Sequence, residues 1–249
     1  MSVSQFKEFA GTIFSVGCEA CAIAKLRGEW IEEPSIALLV GSYVDAHFEG
    51  TLSVFKVQHP EILRKDGELK SEYVQANEII ARIERDPYFM KFMSGEKQSI
   101  FTWNLFGCEW KCKIDSYLPG ICLVDLKVMK SLRDKFWTKK AGKISFVQEY
   151  GYDIQAAIYQ EIVFQNTRER LLFFIAGASK EKEPDIEIIG FDKDYFSHML
   201  FFVELNMPRI LQVKKGEVEP IRCGVCDYCK NTKLLKKPIH FSELIRERI

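Results

Sequence analysis

Lys113-Ile114-Asp115-Ser116-Tyr117-Leu118-Pro119-Gly120-Ile121-Cys122-Leu123-Val124-Asp125-Leu126-Lys127-Val128 reads as two extended segments joined at Pro119-Gly120, and this stretch decides the fold. Counting outward from the turn sets Asp115 nearly opposite Asp125. Period-two alternation then sends Asp115, Asp125 and Lys127 to one face. Upstream, Glu109, Lys111 and Lys113 alternate with Trp110, Cys112 and Ile114; downstream, Cys122, Val124, Leu126 and Val128 form the apolar parity. By itself the pattern is more often that of an amphipathic hairpin with cross-strand ion pairs on its wet side.

The residues that follow favour chemistry. Lys130, Arg133, Lys135, Lys139, Lys140 and Lys143 are interleaved with Phe136 and Trp137. Cations and aromatics beside a carboxylate pair suit phosphodiester handling, because phosphate contacts supply most nucleic-acid affinity and a carboxylate-held divalent ion activates water. A solvated basic loop is the plain alternative. Next, Ser145 with Gln148 is placed for a capping box opening a helix to about Gln165. On that helix Gln155 and Tyr159, four residues apart, lie one above the other beside an apolar stripe.

Asp115, then Asp125-x-Lys127, then Gln155-x-x-x-Tyr159, preceded by His47 on an upstream helix, resembles the PD-(D/E)xK nuclease superfamily, in particular its RecB-like and exodeoxyribonuclease VIII-like (RecE) exonuclease branch. The resemblance spans roughly residues 1 to 230 and rests on the order and spacing of four weak signals. Ile114 stands where the superfamily has proline, and Asp125 where many members have Glu. The resemblance implies an α/β restriction-endonuclease-like fold with a small central mixed sheet flanked by helices. It also implies Mg²⁺ or Mn²⁺ held by Asp115, Asp125, His47 and the carbonyl of Leu126. Lys127 would position the attacking hydroxide or stabilise the transition state, with Gln155 and Tyr159 orienting substrate or Lys127; Glu109 is a lesser candidate. The implied activity is a DNA exonuclease acting 5′ to 3′ on linear duplex in phage-type recombination or repair, with a single-strand annealing protein as partner and a homo-oligomeric ring as a candidate assembly.

His47 carries two readings. It shares a helical face with Val40, Tyr43, Val44, Thr51 and Val54, so periodicity alone makes it a buried, hydrogen-bonded histidine. The resemblance makes it a metal ligand.

The eight cysteines divide into two groups. Cys108, Cys112 and Cys122 sit on the strands, where a free thiol behaves as a small hydrophobe. Cys223, Cys226 and Cys229 form C-x2-C-x2-C, and Cys18 and Cys21 form C-x2-C near the start. Without an oxidising compartment such spacing argues for a metal over disulfides. Three clustered thiolates and one distant one complete a tetrahedral zinc site or hold an iron-sulfur cluster, stapling the two ends together. RecB-like relatives with one distant amino-terminal cysteine and three carboxy-terminal ones hold a 4Fe-4S cluster; the last spacing here is shorter than theirs. Reduced, unligated cysteines are the third reading.

Length and composition agree. With 249 residues and 47% hydrophobic content, a single domain can bury a substantial core. The formal net charge is zero, so attraction to nucleic acid must come from a local patch. Lys7, Glu8 and Glu19 interrupt any amino-terminal apolar run, and Leu171 to Ala178 is too short for a bilayer; a cytoplasmic protein without membrane contact is expected. A helix is expected from Pro34-Ser35 to about Val57, another over 71–93 broken at Asp86-Pro87, and strands near 99–106, 109–118, 121–128, 171–175 and 185–191. A last helix capped by Asp192 runs to about Lys215. Two other functions fit the residues: a non-catalytic nucleic-acid-binding module stapled by the cysteine site, and an RNA-cleaving enzyme on the same fold.

Overall fold

The computed structural model describes residues 1–192, 194–235 and 237–242. Along the chain run α1 (Val3–Ala10), β1 (Gly11–Thr12), β2 (Ser15–Val16), α2 (Glu19–Leu26), α3 (Ile36–Glu49), α4 (Leu52–Gln58), α5 (Ser71–Glu84) and α6 (Pro87–Phe92). They are followed by β3 (Ser99–Leu105), β4 (Cys108–Ile114), β5 (Ser116–Leu118), β6 (Cys122–Met129), β7 (Lys135–Thr138) and β8 (Gly142–Ser145). The rest comprises α7 (Phe146–Glu149), α8 (Tyr152–Thr167), β9 (Leu172–Ser179), β10 (Ile186–Ile189), α9 (Tyr195–Lys215) and α10 (Asp227–Asn231).

The central sheet is mixed, in the order β10-β9-β6-β5, with β6 parallel to β9 and the other neighbours antiparallel. A parallel pair requires a crossover, and the chain between β6 and β9 supplies it through α7 and α8. Both faces are covered, which explains why β6 is apolar in both parities at its start. Leu123 joins a core with α1, α8 and α9, while Cys122, Val124 and Leu126 join a second core with α3 and α5. Among the described residues no helix is long and apolar enough to cross a membrane.

Three expected elements are interrupted, each for a local reason. The helix expected to reach Val57 stops at Glu49, because Gly50 takes the left-handed conformation at φ +78° and its N–H returns to Ala46 and His47. The helix expected from Ser145 opens on the anticipated capping box but breaks at Gly151, φ +61°. The strand expected over 109–118 breaks at Asp115. Ile114 pairs with Ser99 in the β3–β4 ribbon, whereas Ser116 pairs with Val124 in the central sheet. Ile114 and Tyr117 both enter one core, a spacing of three that uninterrupted alternation forbids. The basic stretch is a β7–β8 hairpin, with Trp137 paired to Lys143.

Candidate active site

Asp125 occupies the centre of β6, on the parity that faces α8. Its register partner on β9 is Ile175, so the strand is fixed by buried neighbours, and Asp125 itself is 3% exposed. The expected wet face is therefore roofed by a helix. Gln155 on α8 donates to Asp125 Oδ1 at 2.7 Å. Asp125 Oδ2 is buried and has the Lys127 ammonium as its partner. Asp115, in the break before β5, accepts from the Leu126 N–H through Oδ2 at 2.9 Å and from Gln98 Nε2 through Oδ1 at 3.3 Å. Asp115, Asp125, Lys127, Gln155 and Tyr159 line one pocket of about 370 Å³ together with Leu126.

Asp45, Glu49, Lys113, Lys7 and Tyr152 also line this pocket, and sequence reasoning singled out none of them for the site. Asp45 and Glu49 are four residues apart on α3 and so share a face. That spacing was visible in the chain, but nothing local said which way the face points. His47 is turned to the other side of α3, where its Nε2 meets Glu84 Oε1 of α5 at 2.8 Å. The ligand role that the resemblance implied for His47 is not supported by this placement, since the helix carries Asp45 to the pocket instead. Nor is His47 the buried histidine that periodicity implied: it is hydrogen-bonded, but its side chain is 32% exposed. Glu109 is an exposed β4 residue paired with Asn104, and Lys113 takes the pocket position from that strand while forming an ion pair with Glu49 at 3.6 Å. Lys7 reaches in from α1, donating to the Tyr150 carbonyl at 2.7 Å and lying 5.4 Å from the Tyr152 ring centre.

The electrostatics are those of crowded like charges. Burial pushes the Asp125 carboxyl up to about 6, with Asp115 adding to the rise against the pull of Lys127 and Gln155. Burial, then Asp115 and Asp125, raise the Asp45 carboxyl well above its ordinary value, against the pull of Lys127. Burial alone would discharge Lys127, but Asp125 and Asp115 outweigh it and hold the ammonium above its ordinary value. Lys7 goes the other way, down to about 8, through burial and the charge of Lys127. Burial also raises the phenols of Tyr152 and Tyr159. A pocket that presses three carboxylates together and leaves Asp125 Oδ2 with one cationic partner is suited to a divalent cation with oxygen ligands.

A family model described as a PDDEXK-like domain of unknown function (DUF3799) matches residues 2–232. The chain belongs to this PDDEXK-like family. A crystal structure from Eubacterium rectale described as a "Putative exonuclease" is 58% identical, with 98% of this chain and 92% of that chain covered and a TM-score of 0.95. A second solved structure, that of SSO0001, aligns over 76% of this chain and 82% of that one at 11% identity and a TM-score of 0.32, too weak a likeness to use. No curated protein matches the sequence.

The fold is the restriction-endonuclease-like one expected; Asp115 lies in the break before β5, and Asp125 and Lys127 lie on β6. At the far end of the PDDEXK-like chain, Cys18, Cys223, Cys226 and Cys229 bring their sulfurs within 4.8 Å of one another. Cys18 Sγ lies 3.5 Å from Cys229 Sγ. Cys21, one helical turn further along α2, is buried beside this group but outside it. Of the strand cysteines, Cys112 and Cys122 are buried as expected, while Cys108 is partly exposed.

Proposed function

We propose that the chain is a divalent-metal-dependent nuclease that hydrolyses DNA phosphodiester bonds from the ends of linear duplex, residues 1–249 forming one catalytic domain. The observation that carries this reading is the convergence of Asp45, Asp115 and Asp125 with Lys127 in one pocket. The likeness over nearly the whole chain to the Eubacterium rectale protein described as a "Putative exonuclease" supports it.

Asp45, Asp115, Asp125 and the Leu126 carbonyl would hold Mg²⁺ or Mn²⁺. When bound, such an ion lowers the pKa of water and offsets charge that builds on the phosphate. The protein's own groups do the rest. Lys127 stays protonated, so its role is to stabilise developing negative charge, not to accept a proton. Gln155 fixes the Asp125 carboxylate by occupying Oδ1, which leaves Oδ2 turned to Lys127. Tyr159, kept neutral by burial, can donate a hydrogen bond to a phosphate oxygen. Lys7 adds a further positive charge below about pH 8. Lys135, Trp137 and Lys143 are exposed on the β7–β8 hairpin and would meet the duplex beyond the pocket. The 5′ to 3′ direction, a phage-type recombination role, an annealing partner and a ring assembly are supported by the exonuclease VIII likeness alone.

The test compares linear duplex, circular duplex, single-stranded DNA and RNA with Mg²⁺, Mn²⁺ or EDTA. Metal-dependent loss of linear duplex, with circles spared and Lys127→Ala inert, is expected. Duplex binding without cleavage under any metal would leave a binding module, and cleavage confined to RNA would exclude the DNA assignment.

A further inference from the structure

The four sulfurs of Cys18, Cys223, Cys226 and Cys229 all lie within 4.8 Å of one another, the shortest separation being 3.5 Å. A zinc ion at the centre of a thiolate tetrahedron, with bonds of about 2.3 Å, sets its sulfurs roughly 3.8 Å apart. A 4Fe-4S cluster places each thiolate on a different iron, outside a cube of eight atoms. Sulfurs this close cannot surround that cube. The spacing is that of a single ion.

The local backbone is built for thiolates as well. The N–H groups of Val225 and Cys226 point at Cys223 Sγ (3.5 and 3.3 Å), and the N–H of Cys229 points at Cys226 Sγ (3.4 Å). Gly224 makes this turn at φ +74°, where a side chain would be strained. Such outer donors disperse thiolate charge and orient the ligands. Cys18 and Cys229 are buried, and four sulfurs would fill every position of a tetrahedral ion, the make-up of a closed, structural site.

We infer that Cys18, Cys223, Cys226 and Cys229 hold one zinc ion, and that this ion anchors the helix that delivers Lys7 to the active-site pocket. The mechanical link is short. Cys18 donates its N–H to the Glu8 carbonyl of α1 at 2.8 Å, and Lys25 of α2 grips Glu8 Oε1 at 3.1 Å. On the other side, Glu19 receives Arg209 of α9 through both oxygens (2.8 and 2.9 Å) and the Ile221 N–H at 2.7 Å, while the Ala20 N–H bonds the Ile221 carbonyl. The ion therefore closes a loop of more than two hundred residues beside the base of α1. Its binding free energy is spent on holding that corner folded.

The experiment is metal and sulfide analysis of the full chain purified anaerobically, with zinc X-ray absorption on the same sample. One zinc per chain, background iron and sulfide, no visible colour and four sulfur neighbours at about 2.3 Å are expected. Cys21→Ser should keep the full zinc content, and Cys223→Ser with Cys226→Ser should lose it. Should the double variant not fold, zinc can be stripped from folded wild type with a chelator and thiol reagent. Amide exchange in residues 3–10 should then accelerate by about tenfold or more, with β6 still protected. Four irons with four sulfides, one iron without sulfide, a metal-free chain, or unchanged exchange in α1 after zinc removal would each overturn the inference.

Discussion

Gln155 on α8 donates to Asp125 Oδ1 at 2.7 Å, so that one oxygen of the buried carboxylate is held by the protein and the other faces Lys127. A helix formed thirty residues after the strand thus sets the orientation of the strand's acid. Gln155→Leu removes this neutral donor from that oxygen. Cleavage at saturating Mg²⁺ should fall by about tenfold to a hundredfold, the range for loss of an oriented supporting group. Steady-state assays on linear duplex across a Mg²⁺ series measure it, and an unchanged rate would remove Gln155 from the site.

Lys127 is ion-paired with Asp125, feels the charge of Asp115 and remains cationic. Its loss should act on the chemical step more than on binding. Lys127→Ala is expected to reduce kcat by about 10²- to 10³-fold, the usual cost of removing one preorganised charge, with duplex Kd within about threefold. Lys127→Arg should recover little, because a planar fork does not replace a compact ammonium. Single-turnover kinetics alongside a binding isotherm separate the two effects.

Asp45 and His47 are two residues apart on α3 yet face opposite sides. Asp45→Asn should abolish Mg²⁺-dependent cleavage and also raise thermal stability in EDTA, since relief of strain stored at a functional site commonly contributes about 0.5–2 kcal/mol. His47→Ala breaks a half-exposed pair with Glu84, costing about 0–1 kcal/mol, and should leave cleavage within twofold. Scanning calorimetry and nuclease assays on both variants decide which residue belongs to the site.

The pH dependence follows from Asp125. Its carboxyl is raised from 3.8 to about 6 in the folded chain, so between those values the native state holds a proton that the unfolded chain has released. Stability of the metal-free protein from this group therefore falls as pH climbs from about 4 to about 6, and Asp45 acts in the same direction. Protons compete with the cation over the same window. The Mg²⁺ needed for half-maximal activity should drop as pH rises, approaching about tenfold per unit below pH 6. Thermal shifts with and without Mg²⁺ should show a larger gain at pH 7.5 than at pH 5, and an equal gain would contradict the assignment.

The β7–β8 hairpin carries Lys135, Trp137 and Lys143 on one exposed face, with Ile144 buried on the other. Lys135→Ala with Lys143→Ala should weaken duplex binding and reduce the log-log salt slope by about 1.8, from two lost phosphate contacts. Trp137→Ala should weaken binding with little change in that slope. Fluorescence anisotropy over a salt series distinguishes these outcomes.

The amino-acid sequence by itself determined the Pro119-Gly120 turn, the register of β5 on β6 and the shared parity of Asp125 and Lys127, because alternation and a tight turn are local, whereas the break at Asp115 came with the switch from one sheet to the other. It also determined the capping box at Ser145 and the break at Asp86-Pro87, where side chains satisfy or deny neighbouring backbone groups. Only the tertiary structure decided that Asp45, not His47, reaches the pocket. That choice depends on how α3 is rotated when it packs on α5 and the sheet, and both faces of the helix carried plausible ligands. Lys7 likewise enters the site because α1 docks against α8 across more than a hundred residues of chain, a contact that no local pattern encodes. The cysteines show the same division. Their spacing marked them as ligands, but the distance between sulfurs, and with it the kind of ion they suit, exists only once the two ends of the chain meet.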